Sequence, residues 1–295
     1  DQKGSVLAIL SGLLYGLIAY FAITILAERF TIYNMLFWRF IISSAFIGMI
    51  IIYKTKLGFH KISFKKILPY IYSAILQSFG VWLYIESSLN IGSGLATVIF
   101  FTYPVMLIIF NWLWHNEKAE KIYYFSIALS IVGMIFLSDY DSDISFYGMS
   151  LALLSALCYT IYIMLNKHVS SSLPPLTATF IISIVISIIF FFLSLTEENF
   201  IIPHTLSTWT KMIAIGVFAT AIPLLMLLKS MEYISSAKAS LLSVLEPVCV
   251  TALGVLLLEE QITLLQWLGI ITILVGAMLV QIDIKKPITQ KNDGI

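Results

Sequence analysis

The sequence predicts an all-α integral membrane protein: ten transmembrane helices arranged as two inverted-topology repeats of five. Three observations carry this. Of 295 residues, 60% are hydrophobic and 11% are charged, whereas soluble domains are roughly 45–50% apolar and about 25% charged. Ten apolar stretches each approach the length of about 20 residues that crosses a hydrocarbon core. The second half of the chain repeats the first after an odd number of such stretches.

Span 1, 5–26, lacks a cleavable signal-peptide pattern and is long enough to cross. Its GLLYG (Gly12–Gly16) is a small-xxx-small pattern that admits a close neighbour. Span 2, 33–53, holds Arg39 near its outer end, and span 3, 67–88, holds Gln77 at mid-depth and Glu86 near its outer end. Span 4, 91–114, contains Pro104 and Asn111, and span 5, 122–138, contains Gly133. Span 6, 147–166, and span 7, 176–195, open the second half. Span 8, 210–231, has Lys229 at its inner end. Span 9, 236–258, carries Glu246 and Pro247 side by side, and span 10, 265–283, carries Gly276. The longest polar connection, Lys54–Lys66, is too short to fold alone, so no soluble domain remains.

Lysine and arginine bias sets the direction. With the first residue cytoplasmic, the inner side carries Lys3, Lys54, Lys56, Lys61, Lys65, Lys66, Lys118, Lys121, Lys167, Lys229, Lys238, Lys285, Lys286 and Lys291. The outer side carries Arg29 and Lys211. Both termini are therefore expected in the cytoplasm, with the acidic run SDYDSD (139–143 and its leading serine) outside as a solvated loop. None of the four histidines (His60, His115, His168, His204) is placed for a proton relay in the membrane.

The chain is written twice. GSVLAILSGLLYG (Gly4–Gly16) aligns with GMSLALLSALCYT (Gly148–Thr160). At a constant offset of 143, Ala96 meets Ala239, Pro104 meets Pro247, Glu117 meets Glu260 and Gly133 meets Gly276. The expected units are residues 1–143 and 144–295. Because five is odd, the second unit enters the membrane inverted, a plan recurrent in secondary transporters.

The stretch LEPVCVTALGVLLLEEQITLLQWLGIITILVGAMLV resembles the signature of EamA-like members of the drug/metabolite transporter superfamily. The matching positions are Glu246–Pro247, Glu260, Gln266, Gly269 and Gly276, with a weaker version in Pro104, Glu117 and Gly133. Arg39 matches an arginine common in the family's span 2, whereas Tyr15-Gly16 replaces a frequent Trp-Gly. The resemblance covers essentially the whole chain. It implies two five-helix bundles around a central cavity and the export of amino acids or related metabolites. A monomer or weak dimer is expected, since the duplication is fused in one chain.

Candidate functional residues are picked out by their cost. A charged group at mid-bilayer is unfavourable by roughly 2.5–3.5 kcal/mol on insertion scales, so it must face a partner or a cavity. Pro247 leaves the carbonyl of Ser243 without its donor and kinks the helix, and Pro104 does the same at the matching depth. Both read as architecture, a pair of hinges. Glu246 has no acidic counterpart, since Tyr103 stands in its place. Two roles fit it: bonding broken backbone in a neighbouring span, or binding an ammonium or a coupling proton. Arg39 either pairs with Glu86, snorkels, or clamps a carboxylate. Glu86, Lys229 and Lys238 are candidate gate residues, with Glu232 beside the lysines. Tyr15, Gln77, Trp82, Tyr103 and Tyr159 complete the candidate substrate or coupling set, mostly as packing aromatics, with stacking on a flat or cationic substrate open to a few.

The chain has no HExxH, P-loop or glycine-flanked nucleophilic serine, and no His/Cys cluster. No enzyme activity, metal or cofactor is expected, and a net charge of +1 gives no nucleic-acid footprint. The expected partners are the bilayer, a small-molecule substrate and protons. The leading reading is an inner-membrane exporter of an amino acid or related metabolite working by alternating access. The alternatives are import of a host metabolite or a nucleotide-derived cofactor such as S-adenosylmethionine, and a non-transporting scaffold or channel.

Overall fold

The computed structural model describes residues 2–55, 63–91, 93–115, 120–137, 145–169, 173–196, 200–258 and 263–282. The acidic run at 139–143, Glu117 and Glu260 lie outside them. The described residues fold into ten helical spans, each within a few residues of its expected position. Among the described residues, six helices are long and apolar enough to cross a membrane: Gln2–Leu26, Ile32–Tyr53, Phe64–Ser88, Phe146–Lys167, Pro175–Ser194 and Leu206–Ser230. Spans 4 and 9 are each broken at their proline. Spans 5 and 10 run Lys121–Leu137 and Leu264–Ile282.

Spans pack across the duplication. Spans 1 and 8 lie together, where the Ser11 hydroxyl donates to the carbonyl of Pro223 at 2.7 Å. Spans 6 and 3 repeat that contact, with the Ser155 hydroxyl donating to the carbonyl of Gly80 at 2.7 Å. Ser11 and Ser155 are aligned residues of the repeat, as are Gly80 and Pro223 at the offset of 143. The first helix of each unit is thus seated on the third helix of the other.

Spans 5 and 10, which are copies of one another, cross antiparallel. A methyl group placed on Gly133 would fall 2.7 Å from the Gly269 carbonyl and from Ile273. One on Gly276 would fall 3.1 Å from the Ser126 carbonyl and 3.2 Å from Ser130 Oγ. Lowering the second-unit numbers by 143 converts each contact into the other. The Ser126 hydroxyl seals the crossing by donating to the Gly276 carbonyl at 2.7 Å. Spans 2 and 7 make a similar self-crossing, with Ser43 and Ser183 hydroxyls 3.1 Å apart. Two copies of one helix that cross antiparallel are related by a two-fold axis perpendicular to both. That axis lies in the membrane plane, so the repeats are inverted.

Aromatic side chains pack together at one end of the bundle. Phe37, Trp38, Phe191, Phe200 and Trp209 interlock with ring centroids 5.1–6.2 Å apart. The Trp38 indole N–H donates to the Ile201 carbonyl at 3.0 Å, and the Ile201 N–H donates to Asn34 Oδ1 at 3.2 Å. These bonds tie the connection after span 7 to span 2. At the same end, Glu28, in the connection after span 1, has its Oε1 2.6 Å from the Lys211 ammonium and accepts from the Thr208 hydroxyl, both on the first turns of span 8. Lys211 first, then Thr208, hold the Glu28 carboxyl below the usual carboxylate range.

Candidate site at the paired helix breaks

The site starts from two prolines that cannot donate. Span 9 runs as a helix Ser236–Leu242, a 3₁₀ turn Ser243–Leu245 and a second helix Glu246–Leu258. Without a Pro247 N–H, the Ser243 carbonyl takes the N–H of Glu246 instead. Glu246 therefore opens a new helix in mid-membrane, where the helix dipole favours a carboxylate. Span 4 breaks at the matching place, between Ser93–Phe100 and Tyr103–His115. There Tyr103 opens the second helix, and its hydroxyl reaches the Ser240 carbonyl of span 9 at 3.3 Å.

Spans 1 and 6 press on these breaks. A methyl group on Gly12 would fall 2.8 Å from the Ser243 carbonyl, and one on Gly16 would fall 2.6 Å from Cys249 Cβ. This is the close approach expected of GLLYG. On the other side Thr160, aligned with Gly16, sets its hydroxyl 3.3 Å from the Tyr103 carbonyl. Span 1 itself is interrupted at Gly16, so Tyr15 ends its first helix.

These breaks gather Tyr15, Arg39 and Glu246 within electrostatic reach of one another. Tyr84, Tyr103 and Tyr159 also lie near the Glu246 carboxylate. Neither Arg39 nor Glu246 has an opposite charge within 4 Å among the described residues, where Lys211–Glu28 is the ion pair observed. Arg39 is 7% exposed, so it does not snorkel. Its Nε donates to Thr220 Oγ1 of span 8 at 2.6 Å, and its guanidinium lies 5.1 Å from the Phe40 ring centre.

An aromatic wall packs beside Glu246. Tyr103 meets Tyr159 edge-on at 4.8 Å, and Tyr159 stacks on Tyr162 at 5.5 Å. Phe100 touches Tyr84, Tyr103 and Tyr159 at 5.2–5.4 Å. Tyr84 is anchored by a 2.7 Å bond with Thr97. The buried Tyr162 hydroxyl has no protein partner among the described residues.

Other expected residues lie elsewhere. Trp82 and Glu86 line a separate cavity of about 140 Å³ with Ile32, Tyr33 and Ile85. The expected Arg39–Glu86 bridge is not formed, because Arg39 turns to span 8 rather than to span 3. Lys229 and Glu232 are exposed while Lys238 is buried, so their expected cluster makes no ion pair among the described residues. Gln77 is half-buried and makes no side-chain hydrogen bond among the described residues, whereas Asn111 donates to Ser236 Oγ at 3.3 Å. Thr220 is an addition at the site. Pro223, in the middle of span 8, was the available signal for Thr220: the helix before it widens into a π turn, Val217–Ala221.

The profile of the EamA-like transporter family matches the chain twice, over residues 2–139 and 146–282. Two uncharacterized transporters of Archaeoglobus fulgidus are similar. One is 24% identical over 70% of this chain and 73% of its own length. The other is 25% identical over 82% of this chain and 86% of its own length. The uncharacterized transporter YxxF of Bacillus subtilis is 25% identical over 67% of this chain and 65% of its own. A solved structure titled only "Crystal structure of protein" superposes with a TM-score of 0.81 at 13% identity, covering 94% of this chain and 98% of that one.

Proposed function

The chain belongs to the EamA-like transporter family, and on that premise we propose that it is a secondary carrier for a small zwitterion, an amino acid or a close relative. The family makes it a multi-pass membrane transporter of a small molecule. The observation that supports the finer reading is the unpaired charge couple at the helix breaks. Glu246 and Arg39 lie near each other yet stand farther apart than an ion pair. Each is costly at that depth without a partner. A zwitterion supplies both partners: its ammonium to Glu246, its carboxylate to the Arg39 fork. The wall of Tyr84, Phe100, Tyr103 and Tyr159 then takes a flat or apolar side chain.

In this reading Glu246 also carries the coupling proton, since an ammonium and a proton compete for one carboxylate. The two five-helix units alternate their conformations about the in-plane axis, opening the site to either face in turn. Both termini lie in the cytoplasm of a cell whose inner or plasma membrane holds the carrier, and net flow is outward. The test is a thermal-shift screen of a metabolite library on purified protein, followed by flux in proteoliposomes. Stabilisation by amino acids, with saturable flux, is expected. Stabilisation by compounds lacking either the ammonium or the carboxylate would overturn the zwitterion assignment.

A further inference from the structure

We propose that Thr220 is a positioning residue that holds the Arg39 guanidinium side-on, so that its two terminal nitrogens form a clamp for the substrate carboxylate. The inference rests on the carrier reading and deepens it. It begins with Pro223, which cannot donate to the carbonyl one turn back. The helix accommodates by a π turn at Val217–Ala221, in which the N–H of Ile222 donates to the Val217 carbonyl. One extra residue in a turn rotates the succeeding side chains by about 100°. At the start of this turn Gly216 lets spans 2 and 8 touch: a methyl there would lie 2.7 Å from Ile42 and 3.0 Å from the Arg39 carbonyl. Thr220, 1% exposed, is thereby brought onto Arg39.

Hydrogen-bond direction fixes the rest. The Thr220 hydroxyl donates its proton to the Ile215 carbonyl at 2.8 Å. Its lone pairs remain, and Arg39 Nε–H donates to one of them at 2.6 Å. With Nε engaged and Phe40 against the guanidinium, Nη1 and Nη2 make no hydrogen bond to protein among the described residues. These are the paired donors that match a carboxylate. The arrangement is confined to one unit: Gln77 stands at the repeat position of Thr220, and Ile182 at that of Arg39. It is therefore no requirement of the shared architecture; like Glu246, it belongs to what the halves do differently.

The experiment measures flux in proteoliposomes for L-leucine, L-phenylalanine, L-glutamate and L-lysine, and for the C-terminal amide of each. Thr220→Val keeps shape and branching but removes the hydroxyl, and Thr220→Ser restores it. Losing one hydrogen bond to a charged group corresponds to about tenfold or more. The expected result is a rise of about tenfold in the half-saturating concentration of the transported acid in Thr220→Val. Maximal rate stays within about twofold, the Ser variant behaves as wild type, and the acid-over-amide preference collapses only in Val. Thr220→Ala carries the same expectation should the valine variant fail to purify. A Val variant that keeps the wild-type acid preference, or a Ser variant that loses it, overturns the clamp alone. A wild type indifferent to acid and amide overturns the zwitterion reading and the clamp with it.

Discussion

Glu246 and Tyr103 occupy one position in the two repeats, each opening a helix beyond a break. The phenol bonds across to the Ser240 carbonyl; the carboxylate has no hydrogen-bond partner among the described residues. A group with only a structural role would be expected to bond a neighbouring span, as Tyr103 does at the Ser240 carbonyl. We predict that Glu246→Gln abolishes proton-driven flux in proteoliposomes while abundance and melting temperature stay near wild type. Loss of folded protein instead would assign Glu246 to structure. Glu28 supplies a second residue-scale prediction. Its folded pKa lies below the unfolded value of about 4.3, so the Lys211–Glu28 contact stabilises above that pH and is lost as pH falls through the folded value. A partly exposed pair contributes at most about 1 kcal/mol. Glu28→Gln should therefore lower thermal stability slightly near neutral pH, with the difference vanishing in acid. An undiminished difference in acid would show that packing, not charge, is at work. Glu246 was legible in the sequence because a carboxylate interrupts an apolar run. The partner of Arg39 was not: uniformly apolar helices carry no periodic face to say which neighbour they meet, and span 8 rather than span 3 took it.

At the scale of elements, the proline breaks and the glycine crossing do different jobs. The break at Pro247 is closed within its own span by the Glu246 N–H on the Ser243 carbonyl, and the first helix of each unit presses on a break, Gly12 against Ser243 and Thr160 against the Tyr103 carbonyl. We predict that Pro104→Ala and Pro247→Ala each reduce maximal flux, measured on reconstituted protein, because a continuous helix there resists rearrangement. Turnover unchanged in either variant would remove the paired-hinge role. The crossing of spans 5 and 10 is a fixed contact. A methyl on Gly133 meets backbone at 2.7 Å, and one on Gly276 meets it at 3.1 Å. Overpacking costs typically about 1–3 kcal/mol, so Gly133→Ala should lower the melting temperature more than Gly276→Ala, read by thermal unfolding in detergent. The reverse order would argue against this crossing. Span number and position were readable from apolar length alone. The π turn of span 8 was not, although Pro223 marked the place, because a proline says that a bond is missing and not how the helix closes around it.

At the scale of the molecule, the duplication legible in the sequence became an axis of symmetry in the bundle. Alignment of Gly133 with Gly276 and of Ser11 with Ser155 predicted equivalence, and the crossings at those residues realise it. What alignment could not say was that each repeat lends its first helix to the other's third. That exchange interlocks the two halves, each seated on the other through the Ser11–Pro223 and Ser155–Gly80 contacts. The most direct measurement of alternating access is counterflow. Proteoliposomes loaded with an excess of the unlabelled amino acid that best stabilises the protein are diluted into its labelled form. The predicted result is a transient uptake of label above equilibrium that saturates with concentration and disappears in Arg39→Ala. Uptake that rises linearly with concentration, with no overshoot, would contradict it.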